Sequence, residues 1–110
     1  SKVVAIVGAS NNRQKFGNKA VRAFLRAGYE VVPIHPRETA IEGLRAYRSV
    51  LDVPGTIDMA SFYVPPEIGE QIIDDVARKG IGEVWLNPGA ESDALIAKLK
   101  SGEHGKKVAS

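Results

Sequence analysis

Val3-Val4-Ala5-Ile6-Val7-Gly8-Ala9-Ser10 opens the chain with five apolar residues in a row, stopped by a glycine. A run without polar alternation suits a strand buried on both faces, the environment of the inner strands of a parallel sheet. Beyond it the stretch Ala9–Phe16 is rich in turn formers. Ala20, Val21, Phe24 and Leu25 then fall on one face of a helix, and Gly28 is placed to cap it. Glu30–Ile34 is a second strand, interrupted by Pro33, which argues for an edge, and stopped at Pro36. Between residues 37 and 57, Ile41, Leu44 and Tyr47 have helical spacing weakened by Gly43. Ser49–Asp52 has capping-box spacing and predicts a short helical turn. Asp58–Val64 is a third strand. A helix opened by Pro65-Pro66-Glu67 follows, with Ile68, Ile72, Ile73, Val76 and Ala77 on its buried face. Glu83–Leu86 is a fourth strand with Trp85 in the core. Asn87-Pro88-Gly89 is a turn, and Ser92 caps a last helix that buries Leu95 and Leu99. Lys107-Val108-Ala109 can begin a fifth strand. Strands alternating with helices predict an α/β fold: a three-layer, doubly wound parallel sheet of about five strands, forming a single domain over 1–110.

Composition agrees with that reading. The chain has 110 residues, 44% hydrophobic and 25% charged, which excludes disordered and collagen-like classes. No apolar stretch approaches the roughly 18 residues of a membrane span, and no signal peptide opens the sequence, so a cytoplasmic protein with no membrane partner is expected. With no cysteine, disulfides, thiolate metal sites and cysteine nucleophiles are excluded. His35 and His104 have no companions at metal-ligand spacing; His104 is expected to be exposed. The net charge of +2 is too small to argue for nucleic acid. It is unevenly spread: residues 1–55 carry nine Lys/Arg against four Asp/Glu, and residues 56–110 carry six against nine. A basic first half suits either an anionic ligand or simply solvated helix faces.

In doubly wound sheets ligands bind beyond the carboxyl ends of the strands, which directs attention to four turns. The first, Gly8–Gly17, departs from the Gly-x-Gly-x-x-Gly dinucleotide fingerprint. Ser10 stands where the second glycine would be, and the next glycine is Gly17. It can still cradle a diphosphate through Gly8, Ala9 and backbone N–H groups at the start of the helix, near Phe16. The Ser10 hydroxyl and the charges of Arg13 and Lys15 would assist. An ordinary strand–helix turn with exposed basic residues is equally consistent with it. The second turn, His35-Pro36-Arg37-Glu38, lacks the carboxylate that holds ribose hydroxyls in NAD sites. An arginine here instead suits a phosphorylated ribose, as in NADP or coenzyme A; a surface loop with Arg37 paired to Glu38 is the alternative. In the third turn, Val64 and Pro65 offer an apolar shelf for an adenine ring, or merely start a helix. In the fourth, Gly89 and Ala90 permit close backbone approach, and Asn87 can meet a polar group. No catalytic residue is expected: Ser10 and His35 could be paired on paper, but Ser10 lacks a nucleophile elbow and no third member is identifiable.

Taken in order, Val4-Ala5-Ile6-Val7-Gly8-Ala9-Ser10, Gly17, Gly28–Pro36, Ile41-Glu42-Gly43, Tyr47–Pro54, Asp58, Val64–Glu67 and Trp85–Ala90 resemble the small CoA-binding domain proteins. That family has a Rossmann-like fold and is similar to the CoA-binding domains of the succinyl-CoA synthetase alpha subunit and of ADP-forming acyl-CoA synthetases. The resemblance implies coenzyme A or an acyl-CoA as ligand. It implies a diphosphate at Gly8, Ala9, Ser10 and Gly17, a ribose phosphate at Pro36 and Arg37, adenine on Val64 and Pro65, and pantetheine near Gly89 and Ala90. Two departures stand out. Asn87 replaces the glutamine of the family's Trp-x-Gln-x-Gly-Ala pattern. Family members also usually continue further, with a last strand and often a cysteine, whereas this sequence stops at Ser110, so either trimming or a different closure is expected. The function expected is a ligand-binding or regulatory protein without chemistry of its own, holding a small-molecule nucleotide ligand. An NAD(P)-binding oxidoreductase-like domain, a subunit of an acyl-CoA synthetase and an interaction module for an acidic protein partner are the alternatives; homo-oligomerisation is left open.

Overall fold

The apolar run Val3–Val7 forms β1, with a strand on each side of it. The computed structural model of the chain describes residues 2–87, 89–100 and 107–109. β2 (Glu30–Ile34), β5 (Met59–Phe62), β6 (Glu83–Leu86) and β7 (Lys107–Ala109) complete a five-stranded sheet in the order β2-β1-β5-β6-β7, every pairing parallel. Val3 pairs with Glu30 and Val4 with Met59. Alternate residues of β1 serve opposite layers, which is why the run is uninterrupted. Val4 and Ile6 pack with Ala20 and Val21 of α1 (Phe16–Arg26). Ala5 and Val7 belong to the larger cluster with Ile73 and Val76 of α2 (Pro66–Lys79) and Leu95 of α3 (Asp93–Lys100). The three layers and parallel sheet expected from the sequence are present. Because β2 lies to one side of β1 and β5 to the other, the direction of winding reverses between β1 and β5, where ligand clefts form.

Local features follow from particular residues. Pro33 sits in an edge strand, where its carbonyl accepts from the Tyr47 N–H. The Ser49 hydroxyl accepts from the Leu51 N–H and starts the 3-10 turn Val50–Asp52. Pro66 occupies the first turn of α2, and the Ser92 hydroxyl accepts from the Leu95 N–H at the start of α3. At the end of α1, Gly28 and Tyr29 donate to the carbonyls of Leu25 and Phe24, and the Phe24 and Tyr29 rings meet edge to face at 5.0 Å. This is the double hydrogen bond and apolar contact of a Schellman closure; the capping residue itself is Ala27.

Four expectations need correction. Ile41, Leu44 and Tyr47 are not on a helix: Ala40–Ile41 (β3) and Leu44–Arg45 (β4) form an antiparallel hairpin. Glu42 and Gly43, at φ 51° and 76°, supply the two left-handed residues that a two-residue hairpin turn demands. Trp85 is not core. Val84 and Leu86 enter the cluster under α2 and α3, so Trp85 faces the opposite side, where α1 covers β1 and β2 rather than β6. It is 38% exposed, and its indole N–H donates to Glu83 at 2.7 Å. Leu25 and Ile68 are likewise exposed, because the buried faces of α1 and α2 are narrower than their apolar content. The third strand is also shorter than Asp58–Val64: the Asp58 carboxylate accepts from the Val3 N–H just before β5 begins. Pro88, His104 and the Leu99 side chain lie outside the described residues.

Phe62 is fully buried against Gly69 and the α3 side of the core. Phe62→Ala is expected to lower stability by about 3–5 kcal/mol. A reduced urea midpoint with an unchanged denaturant slope is the result that checks it.

Candidate functional site

The site is built around Gly8, the residue that ends β1. Its φ of 94° is left-handed, which an L side chain resists. A Cβ there would also lie 2.7 Å from the Tyr63 carbonyl oxygen and 2.8 Å from Val64 Cγ1. Gly17, in the first turn of α1, approaches from the other direction: a Cβ on it would be 2.1 Å from the Gly8 carbonyl oxygen. Gly17 therefore allows the start of α1 to seat directly on the end of β1, and Gly8 allows that end to lie against the third turn. Lys15 is the N-cap residue and makes no side-chain capping bond. The N–H groups of Phe16 and Gly17 have no acceptor among the described residues. Free N–H groups at the positive end of an eleven-residue helix form an anion-binding surface.

Polar side chains hold the loop between Gly8 and Gly17. The Ser10 hydroxyl accepts from the Asn12 N–H, and the Asn12 side chain from the Gln14 N–H, both at 3.0 Å. Asn18, fully buried, donates to the Ser10 carbonyl at 2.8 Å and to the Glu42 carboxylate at 3.0 Å, and accepts from Arg22 Nε at 2.8 Å. Asn11 donates to the Glu38 carboxylate and the Ala40 carbonyl. The β3–β4 hairpin thus braces the loop from outside. Sequence reasoning missed Asn18 and Glu42; a polar residue three places from the apolar Val21 on the same helix face was the available signal.

The four turns meet around a cleft of about 500 Å³. Gly8, Ala9, Ser10, Lys15, Phe16 and Gly17 line it from the first turn, and Pro36 from the second, joined by His35. Val64 and Pro65 line it from the third, joined by Tyr63, and Gly89 and Ala90 from the fourth. Phe16 is 74% exposed, with the Lys19 ammonium 5.1 Å from its ring centroid. His35 and Tyr63 extend the set expected from the sequence.

Three expected site residues do not line the cleft. Arg13 is turned to Glu42, with Nε 3.5 Å from the carboxylate. Asn87 donates to the Ser61 hydroxyl at 3.0 Å and the Phe62 carbonyl at 2.9 Å, tying the end of β6 to β5. Arg37 is exposed beside Pro36; Glu38 is engaged by Asn11 rather than by Arg37. His35 builds the second turn: its Nδ1 accepts from the N–H groups of Arg37 at 3.0 Å and Glu38 at 2.9 Å. Among the described residues no cluster of three His, Asp or Glu side chains could hold a metal ion, and no helix is long and apolar enough to cross a membrane.

Comparison with known proteins gives a consistent picture. A family model described as a CoA binding domain matches residues 2–109. The alpha subunit of an ADP-forming acetate–CoA ligase II from Pyrococcus furiosus is 32% identical over 76% of this chain, which spans only 18% of that relative's length. A conserved hypothetical protein from Pyrococcus furiosus has a similar structure, with a TM-score of 0.90 and 37% identity, covering 99% of this chain and 92% of its own. A dinucleotide-forming acetyl-coenzyme A synthetase from Ca. Korarchaeum cryptofilum, in complex with phosphate and ADP, aligns with a TM-score of 0.84 and 30% identity, covering 97% of this chain and 25% of its own.

The close approach of Gly17 to Gly8 is directly testable. Gly17→Ala must displace α1 from β1 and is expected to cost about 1–3 kcal/mol. Gly82→Ala, where a Cβ meets nothing within 4 Å, should change stability by less than about 0.5 kcal/mol. Chemical denaturation of the two variants side by side checks the difference.

Proposed function

The chain belongs to the CoA binding domain family, and from that premise we propose that it binds coenzyme A or an acyl-CoA in the cleft beyond the carboxyl ends of its strands. The observation that carries the reading is the seating of α1 on Gly8, which brings Phe16 and Gly17, with their free N–H groups, into the lining of the cleft that the four turns share. A diphosphate lies there, with Ala9 behind it. The Ser10 hydroxyl, whose oxygen already accepts from Asn12, has its proton left to donate, and Lys15 supplies charge. The adenine ring rests on Val64 and Pro65, and pantetheine leaves past Gly89 and Ala90. Arg37, in no ion pair among the described residues, reaches the phosphorylated ribose from the rim beside Pro36. Arg13 acts through the loop's brace to Glu42, and Asn87 through the strand ends it ties together. The ligand is a small nucleotide, neither a nucleic acid nor a lipid surface. The protein performs no chemistry of its own in this reading.

A second reading has support from the relatives. In the acetate–CoA ligase alpha subunit a stretch like this one is a minor part of a longer chain. The same cleft would then present CoA to catalytic machinery carried elsewhere. Co-purification with a larger protein partner favours that version; isolation of the chain with bound acyl-CoA favours the first.

Isothermal titration tests both at once, since both require CoA binding. Heat of binding is expected for CoA, and none at near-millimolar CoA overturns the proposal. Arg37→Ala is expected to weaken CoA by about 1.5–3 kcal/mol, the worth of a charge-assisted contact. It should leave dephospho-CoA, which lacks the ribose phosphate, unchanged. Equal losses for the two ligands would remove Arg37 from the site.

A further inference from the structure

His35 begins the turn after β2 and lines the cleft, half-buried. Two backbone N–H groups, those of Arg37 and Glu38, point at its Nδ1 from 3.0 and 2.9 Å. A lone pair must sit there, because a proton on Nδ1 would meet both donors head-on. A flipped ring would put carbon in that place and accept neither bond, so the ring orientation is fixed as well. The neutral imidazole therefore carries its hydrogen on Nε2. That N–H has no acceptor among the described residues.

The polarity of this group is the reverse of what the position holds in NAD sites. There a carboxylate accepts hydrogen bonds from ribose hydroxyls. With Nδ1 held by the turn, the one polar group left to His35, a cleft-lining residue, is a donor, and a donor is matched by a phosphate oxygen. We propose that His35 is a specificity-determining residue, donating its Nε2–H to the phosphate on the ligand's ribose and so favouring CoA over nucleotides with an unphosphorylated ribose. The proposal rests on the CoA reading above and adds a neutral, directional contact to the charge of Arg37. One ring then does two jobs: Nδ1 shapes the turn that carries Pro36 and Arg37, and Nε2 reads the ligand.

His35→Asn separates the jobs. An asparagine amide oxygen can replace Nδ1 as acceptor for the two N–H groups, while its NH2, bonded directly to Cγ, stops a bond short of the place that the Nε2–H occupies. The variant is expected to keep the wild-type melting temperature and to lose about tenfold in CoA affinity by isothermal titration, with dephospho-CoA affinity unchanged. In the wild-type protein, long-range proton–nitrogen NMR of the ring should show one unprotonated and one protonated nitrogen. The protonated nitrogen's resonance should move on adding CoA but not dephospho-CoA. Wild-type CoA affinity in His35→Asn, equal losses for both ligands, or a proton on Nδ1 overturns the role of His35 and leaves the CoA reading standing. No CoA binding by the wild-type chain overturns both.

Discussion

Two stretches of main chain, Gly8 at the end of β1 and Gly17 at the start of α1, lie closer than any side chain would permit. The cleft depends on that contact. If α1 stood off by the thickness of one methyl group, its N-terminal N–H groups would no longer converge with the ends of β2, β5 and β6. The same Gly8 also lies against Tyr63 and Val64, so the two glycines divide the work: Gly17 lets the helix meet the first turn, and Gly8 lets the first turn meet the third.

Bare backbone sets the position, and polar side chains keep it. Asn18 is fully buried, yet its amide is engaged on both sides, donating to Ser10 and Glu42 and accepting from Arg22. A buried amide left unsatisfied would cost a few kcal/mol; satisfied, it fixes the loop to the hairpin. Glu42 receives both Asn18 and Arg13 from a left-handed position in the hairpin turn. A loop held in this way has already lost its conformational freedom on folding, so a ligand entering the cleft need not order it.

Much of this was legible in the sequence because main-chain requirements leave marks on residue type. The uninterrupted Val3–Val7 run suits an inner strand, and Gly8, Gly17, Pro36, Pro65 and Gly89 mark turns that the topology gathers at one end. Side-chain direction left no such marks. Arg13 and Asn87 have the right chemistry for a ligand but are consumed by Glu42 and by Ser61 with Phe62, partners distant in sequence. The β3–β4 hairpin was hidden because Ile41 and Leu44, flanking a two-residue turn, have the same spacing as neighbours on a helix face; only Gly43 objected. Trp85 was misplaced because a strand's period says that its neighbours alternate sides, not which side a helix covers. His35 was seen as a histidine at a strand end, but its tautomer depends on two N–H groups whose direction only the fold specifies.

The strand order has a kinetic side. Within the sheet β1 precedes both of its neighbours, which begin at Glu30 and Met59, so this apolar segment is fully paired only after Met59 has been made. Parallel pairing offers no short hairpin as an early shelter, and contacts between distant segments slow the search for the native state. The segment that organises the finished protein is thus one whose apolar faces are covered late, and exposed apolar strands are prone to sticking.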